Sequence, residues 1–133
     1  MSRVFADTAF GVAYLNERDQ YHRLAVELLP QYAKGIVLSD HILTELANFY
    51  AGRQQRTVAG ELCRGLLKRQ TFKVVHVDQA LLEEGLQLYL DRPDKRWSLT
   101  DCVSFIIMKR EGLTEALTSD RHFEQAGFRI LLQ

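Results

Sequence analysis

Cysteine, proline and tryptophan are scarce in this chain: two, two and one among 133 residues. Cys63 and Cys102 fall in separate expected helices with no Cys-x-x-Cys pairing. They read as thiols in a reducing compartment, against a disulfide or a zinc site. Long apolar runs are missing too. No segment approaches the roughly 18 uncharged apolar residues of a membrane span. The chain runs almost at once into Val4 and Phe5, with no basic leader or apolar h-region, so nothing suggests export and a cytoplasmic location is expected. Seventeen basic residues balance seventeen acidic ones. That argues against non-specific coating of nucleic acid, which cationic charge carries, though not against a local basic rim. There is no glycine-rich phosphate loop, no Gly-x-Ser-x-Gly elbow, no Cys/His cluster at zinc spacing, no internal repeat and no linker.

With 47% apolar and 26% charged residues, the chain reads as one folded domain over 1–133. Short apolar runs alternate with helical periodicity. Strands are expected at Val4–Ala6, Ile36–Leu38, Lys73–Val77, Glu115–Thr118 and Phe128–Leu132. Between them the expected helices are Thr8–Leu15, Gln20–Tyr32 capped by Asp19, a segment to Tyr50 capped by Ser39 or Asp40, and Gln54–Arg69. A further helix follows Asp78 to Leu90, another runs from the Ser98 cap to Gly112, and a short one spans Asp120–Gln125. Pro30 kinks or shortens the second helix. The Gln54–Arg69 helix carries Val58, Leu62, Leu66 and Leu67 on one side, and Arg53, Arg56, Arg64, Lys68 and Arg69 on the other. Strands alternating with helices predict an α/β fold, a central parallel sheet of four or five strands covered on both faces.

Asp7 ends the first strand, and ligands in open parallel sheets bind in the crevice beyond such ends. Asp101 and Asp120 stand at helix starts on the same rim. Glu45 shares a helix face with His41 and Asn48 at i−4 and i+3. Each acid has an ordinary explanation: a helix cap for Asp7 and Asp120, a solvated glutamate for Glu45, a capping box with Ser98 for Asp101. Together they form a carboxylate cluster that repels itself unless protons or cations relieve it. Oxygen donors in that number suit Mg²⁺ or Mn²⁺. Thr118 and Ser119 add hydroxyls at the same strand end.

Four stretches carry a resemblance: Val4-Phe5-Ala6-Asp7-Thr8, Leu43-Thr44-Glu45-Leu46, Ser98-Leu99-Thr100-Asp101-Cys102-Val103-Ser104-Phe105 and Leu117-Thr118-Ser119-Asp120-Arg121-His122-Phe123. With Phe123 to Phe128, they make the chain resemble the PIN-domain family, specifically the small VapC-type toxins of toxin–antitoxin pairs. The likeness covers essentially the whole chain. It implies a three-layer α/β/α domain and an Mg²⁺- or Mn²⁺-dependent endoribonuclease. Asp7, Glu45, Asp101 and Asp120 are then the catalytic and metal-holding residues, with Thr8, Thr118 and Asn48 supporting them. It also implies a homodimer and a cognate antitoxin partner.

Arg53, Arg56, Lys109, Arg110 and Arg121 are the candidates to hold RNA phosphates, weighed against ordinary solvated helix faces. Trp97 reads as a partly buried anchor ahead of a base-stacking platform. Tyr21, Leu24, Phe49 and Tyr50 offer apolar surface for a dimer. The rival reading is a catalytically silent PIN-like domain that binds RNA or protein. A phosphatase or DNA nuclease built on the same cluster is the third.

Overall fold

A computed structural model describes residues 3–133; the first two positions of the domain expected over 1–133 lie outside the described residues. Five strands, β1 (Val4–Ala6), β2 (Ile36–Ser39), β3 (Phe72–Val75), β4 (Glu115–Leu117) and β5 (Arg129–Ile130), form one sheet in the order β3-β2-β1-β4-β5. Every pairing is parallel. The chain first builds outward from β1 through β2 to β3. It then returns to lay β4 on the other side of β1, so the direction reverses between β1 and β4. That is where an open α/β sheet leaves its crevice.

Seven helices cover the sheet: α1 (Thr8–Leu15), α2 (His22–Tyr32), α3 (Asp40–Phe49), α4 (Arg56–Lys68), α5 (Gln79–Asp91), α6 (Leu99–Glu111) and α7 (Arg121–Gln125). α1 packs on α2 and α3, and α3 on α4; α5 packs on α6, and α6 on α7. The crossovers run in opposite directions from β1, and the right-handed rule for parallel strands then puts the two groups on opposite faces. The three-layer architecture expected from the sequence is the one present.

β1 and β2 are buried along their whole length. This is why they read as unbroken apolar runs without alternation. α6 is nearly as enclosed, with Cys102, Val103, Phe105, Ile107 and Met108 all buried. Each such large side chain contributes about 1.5–3 kcal/mol of burial. α5 lies so close to α6 that a Cβ on Gly85 would stand 2.5 Å from Val103 Cγ2. Gly112 closes α6 at φ 68°, a left-handed position that glycine adopts freely.

Several boundaries differ from expectation. α2 begins at His22, because Asp19 Oδ1 accepts from the Tyr21 N–H two residues on and makes a turn, not a cap. Pro30 lies inside α2, which continues to Tyr32. Ser39 is the cap of α3, its Oγ accepting from Ile42 N at 3.2 Å. Asp40 instead reaches across to His76 Nδ1 (2.7 Å) and Val77 N (3.1 Å). That takes the Val77 N–H for a side chain, and β3 ends at Val75. β5 is two residues long, against the five expected. On α4 the inward face is Ala59, Leu62, Cys63 and Leu66; Val58 and Leu67, each one residue off that stripe, face solvent.

Candidate functional site

The crevice between β1 and β4 is lined by residues that follow each strand. Asp7 continues β1 and donates its N–H to Leu117 O at 3.2 Å. It occupies the cap position of α1, yet its side chain makes no capping hydrogen bond. The carboxylate is instead buried, 7% exposed, and accepts from Thr118 Oγ1 at 3.0 Å. Thr118 Oγ1 in turn accepts from Asp120 N at 3.0 Å. One buried hydroxyl thus joins the acid after β1 to the acid after β4.

Asp101 comes from α6. The capping box expected from the sequence is complete: Ser98 Oγ accepts from Asp101 N, and Asp101 Oδ2 accepts from Ser98 N, both at 3.0 Å. The same Oδ2 lies 2.9 Å from His122 Nδ1. Asp120 caps α7, its Oδ1 accepting from His122 N at 2.9 Å and standing 3.4 Å from His122 Nδ1. One ligand atom each from Asp101, Asp120 and His122 lie within 4.8 Å of one another. Glu45 is tied to the residue after Asp7: Thr8 Oγ1 donates to Glu45 Oε1 at 2.6 Å.

The electrostatics follow from burial. Desolvation pushes the Asp7 carboxyl up to about 7, and the charges of Asp101 and Asp120 add to this. The Thr8 N–H and Thr118 hydroxyl pull the other way. Asp101 is likewise raised, first by burial and also by Asp120, against the Ser98 N–H and His122. No Lys or Arg pairs with Asp7, Asp101 or Asp120 among the described residues. Buried carboxylates facing one another with only neutral donors and one imidazole fit a divalent cation.

The structure does not gather every residue singled out in the sequence. Asn48 is exposed one turn beyond Glu45. Arg53 and Arg56 lie past the far end of α3, donating to the carbonyls of Phe49 and Ala51, with Arg53 stacked over Phe49. Lys109 and Arg110 occupy the last turn of α6, roughly 12–14 Å along the helix from Asp101. Arg110 is paired with Glu84 at 2.8 Å. A helix of that length cannot present both ends to one crevice. Arg121, beside Asp120, is the one of the five on the rim, and it pairs with Glu124. Trp97 is buried, its Nε1 donating to Gln125 Oε1 at 3.0 Å and its ring edge-on to Phe105. Sequence reasoning missed His122. Its only signal was its place two residues after Asp120, where it resembles a helix-end histidine.

These features define a class. A profile of the PIN domain matches residues 4–129, and the chain belongs to the PIN domain family. Its relatives include the proteins named 23S rRNA-specific endonuclease VapC20 from two strains of Mycobacterium tuberculosis, CDC 1551 / Oshkosh and H37Rv. Each is 28% identical over 128 residues, 94% of this chain and 95% of the relative. The crystal structure of Mycobacterium tuberculosis VapC20, titled a Sarcin-Ricin loop cleaving toxin, superposes with a TM-score of 0.86 at 26% identity, covering 94% of this chain and 95% of that one. FitAcB from Neisseria gonorrhoeae, at TM-score 0.68 and 18% identity over 96% of both chains, shares the fold.

Proposed function

We propose that this chain is an Mg²⁺- or Mn²⁺-dependent endoribonuclease, the toxin of a toxin–antitoxin pair. One observation carries the reading. Asp7 is buried at the β1/β4 reversal, without a cationic partner, against two further acids that raise its pKa. Membership of the PIN family and the activity named for VapC20 support RNA as the substrate.

Asp7, Asp101 and Asp120 are the residues that would hold the cation, with Glu45, bonded to Thr8 next to Asp7, as the fourth candidate. When bound, the cation supplies a Lewis acid that lowers the pKa of water and neutralises charge gathering on the phosphate. Thr118 orients Asp7 and the chain turn at Asp120 with one hydroxyl. Ser98 fixes the start of α6 and so the direction of Asp101. Arg121 stands where it can meet a phosphate flanking the cut, once released from Glu124.

Attack of water on phosphorus with the 3′-oxygen leaving gives 5′-phosphate and 3′-hydroxyl ends. Purified protein is expected to cut labelled RNA with Mn²⁺ or Mg²⁺ and to stop on adding EDTA. RNA binding that is indifferent to EDTA and gives no product would overturn this reading in favour of a silent binding domain.

The same proposal includes an antitoxin partner, a homodimer and a cytoplasmic setting. No helix among the described residues is long and apolar enough to cross a membrane. Of the four side chains that offer apolar surface for a dimer in the sequence, Tyr50 is buried and Tyr21 and Leu24 pack on the core, leaving Phe49 exposed. Leu86, Tyr89 and Leu90 on α5 are exposed as well and offer a larger apolar face. Light scattering over a concentration series is expected to give a dimer mass.

A further inference from the structure

The acids of this site come from separate elements, and their mutual placement has to survive their repulsion. Asp101 stands on α6 and Asp120 before α7, with neither carboxylate bonded to the other. His122 is the residue that touches both. Its backbone N–H donates to Asp120 Oδ1 at 2.9 Å, and its ring Nδ1 lies 2.9 Å from Asp101 Oδ2. The ring contact crosses between two helices and 21 residues of sequence.

His122 is itself held firmly. The next residue, Phe123, is fully buried. Its ring meets Phe105 of α6 edge-on at 5.0 Å and stacks on Phe5 of β1 at 6.2 Å. Phe105 lies one helical turn after Asp101, so α7 is fastened to α6 at two points, an aromatic contact in the core and the His122–Asp101 contact at the rim. A half-buried ring fixed this way has little rotamer freedom left to lose. An ionised carboxylate only accepts, so with Asp101 ionised the Nδ1 facing it carries the hydrogen.

We propose that His122 is a positioning residue for this site, its two N–H groups clamping Asp101 and Asp120 into one arrangement. The clamp uses Asp101 Oδ2 and Asp120 Oδ1. Among the described residues, Asp101 Oδ1 and Asp120 Oδ2 take no hydrogen bond, so the clamp leaves one oxygen of each acid for a cation. The role resembles that of the groups that orient metal-holding carboxylates elsewhere, whose loss costs about 10–100-fold in metal affinity or activity. The inference rests on the metal-nuclease reading for the reaction, but the clamp itself is tested without RNA.

Three measurements decide it. Long-range ¹⁵N NMR of the metal-free protein is expected to show neutral His122 hydrogenated at Nδ1. Calorimetric titration with Mn²⁺ is expected to show affinity falling about tenfold or more in His122→Ala. His122→Asn, whose amide nitrogen falls near the place of Nδ1, should stay within about threefold of wild type, and His122→Gln should not. On RNA, His122→Ala should lose kcat by a similar factor with KM nearly unchanged, and His122→Asn should recover it.

A neutral ring hydrogenated at Nε2 alone, or Mn²⁺ affinity in His122→Ala equal to wild type, overturns the proposal. So does rescue by His122→Gln but not His122→Asn, which would make Nε2 a direct ligand. Because His122→Asn keeps the donor, it separates lost positioning from any lost fold. If wild type binds Mn²⁺ with the expected variant pattern yet cuts no RNA, the clamp stands and the substrate reading fails.

Discussion

The two ends of α6 carry acids in opposite circumstances. At its last residue, Glu111 meets Arg3 at 2.7 Å and Lys73 at 2.8 Å. Those two cations hold its carboxyl below the usual range. At its first turn, Asp101 is raised by burial and faces Asp120 and Asp7, with no Arg or Lys beside it. One acid is paired with two cationic side chains; the other has a backbone N–H and an imidazole as its partners. Helix geometry explains why the two roles do not mix, since the ends of α6 open on opposite edges of a parallel sheet. Lys109 and Arg110 belong to the satisfied end, which is also where cations complement the helix dipole.

The largest test of this contrast is kinetic. Asp7→Asn or Asp101→Asn is expected to lower Mn²⁺-dependent RNA cleavage by about a hundredfold or more, beyond what losing a supporting partner costs. Glu111→Gln should cut at close to the wild-type rate. Equal losses from the two ends would break the comparison.

The next effect is on stability and has the opposite sign at the rim. Folded Asp7 titrates at about 7, against 3.8 for the ordinary carboxyl. Between those values the folded state holds more protons than the unfolded chain, so metal-free stability falls as pH rises through that window. The slope is at most about 1.4 kcal/mol per pH unit. Asp7→Asn removes this contribution, so it should equal or exceed wild type in metal-free melts at pH 8 while falling behind it at pH 4. Mn²⁺ should raise the wild-type melting temperature at pH 8 and barely move that of the variant.

Three smaller changes sharpen the picture. Gly85→Ala drives a methyl into Val103 on the helix that bears Asp101, and should cost about 1–3 kcal/mol by denaturant titration. Glu111→Gln should lose about 1 kcal/mol, kept low because Arg3 and Lys73 are solvent-exposed partners. Among the described residues, Ser104 Oγ is buried without a hydrogen-bond partner. Ser104→Ala is therefore expected to be neutral or to stabilise by less than about 1 kcal/mol. A marked loss there would show that the hydroxyl has a partner in solution.

Much of this protein was legible in its sequence, and for local reasons. Val4–Ala6 and Ile36–Leu38 were unbroken apolar runs, and Ser98 with Asp101 spelled a capping box. Gly112 marked a helix end because a left-handed residue is needed there. Such features depend on residues within one or two turns of each other, so spacing alone determines them. All four acids were nameable as candidates by resemblance, and Asp7, Asp101 and Asp120 also by their places at a strand end or a helix start.

Tertiary structure decided what spacing could not. Asp7 looked like a helix cap, and only the approach of β4 gave it Thr118 and buried it away from that duty. Asp40 looked like a cap and became a tie to β3. The basic residues looked like one set, until the lengths of α3 and α6 carried four of the five away from the rim. His122 carried little signal beyond its place after Asp120, because its meaning lies in an oxygen 21 residues distant on another helix. The sequence by itself determined the elements, their order and the acids that end them. Which acids share a field, which find a cation, and which histidine joins them came from the order of the strands, since electrostatic energy depends on distances that only the folded sheet sets.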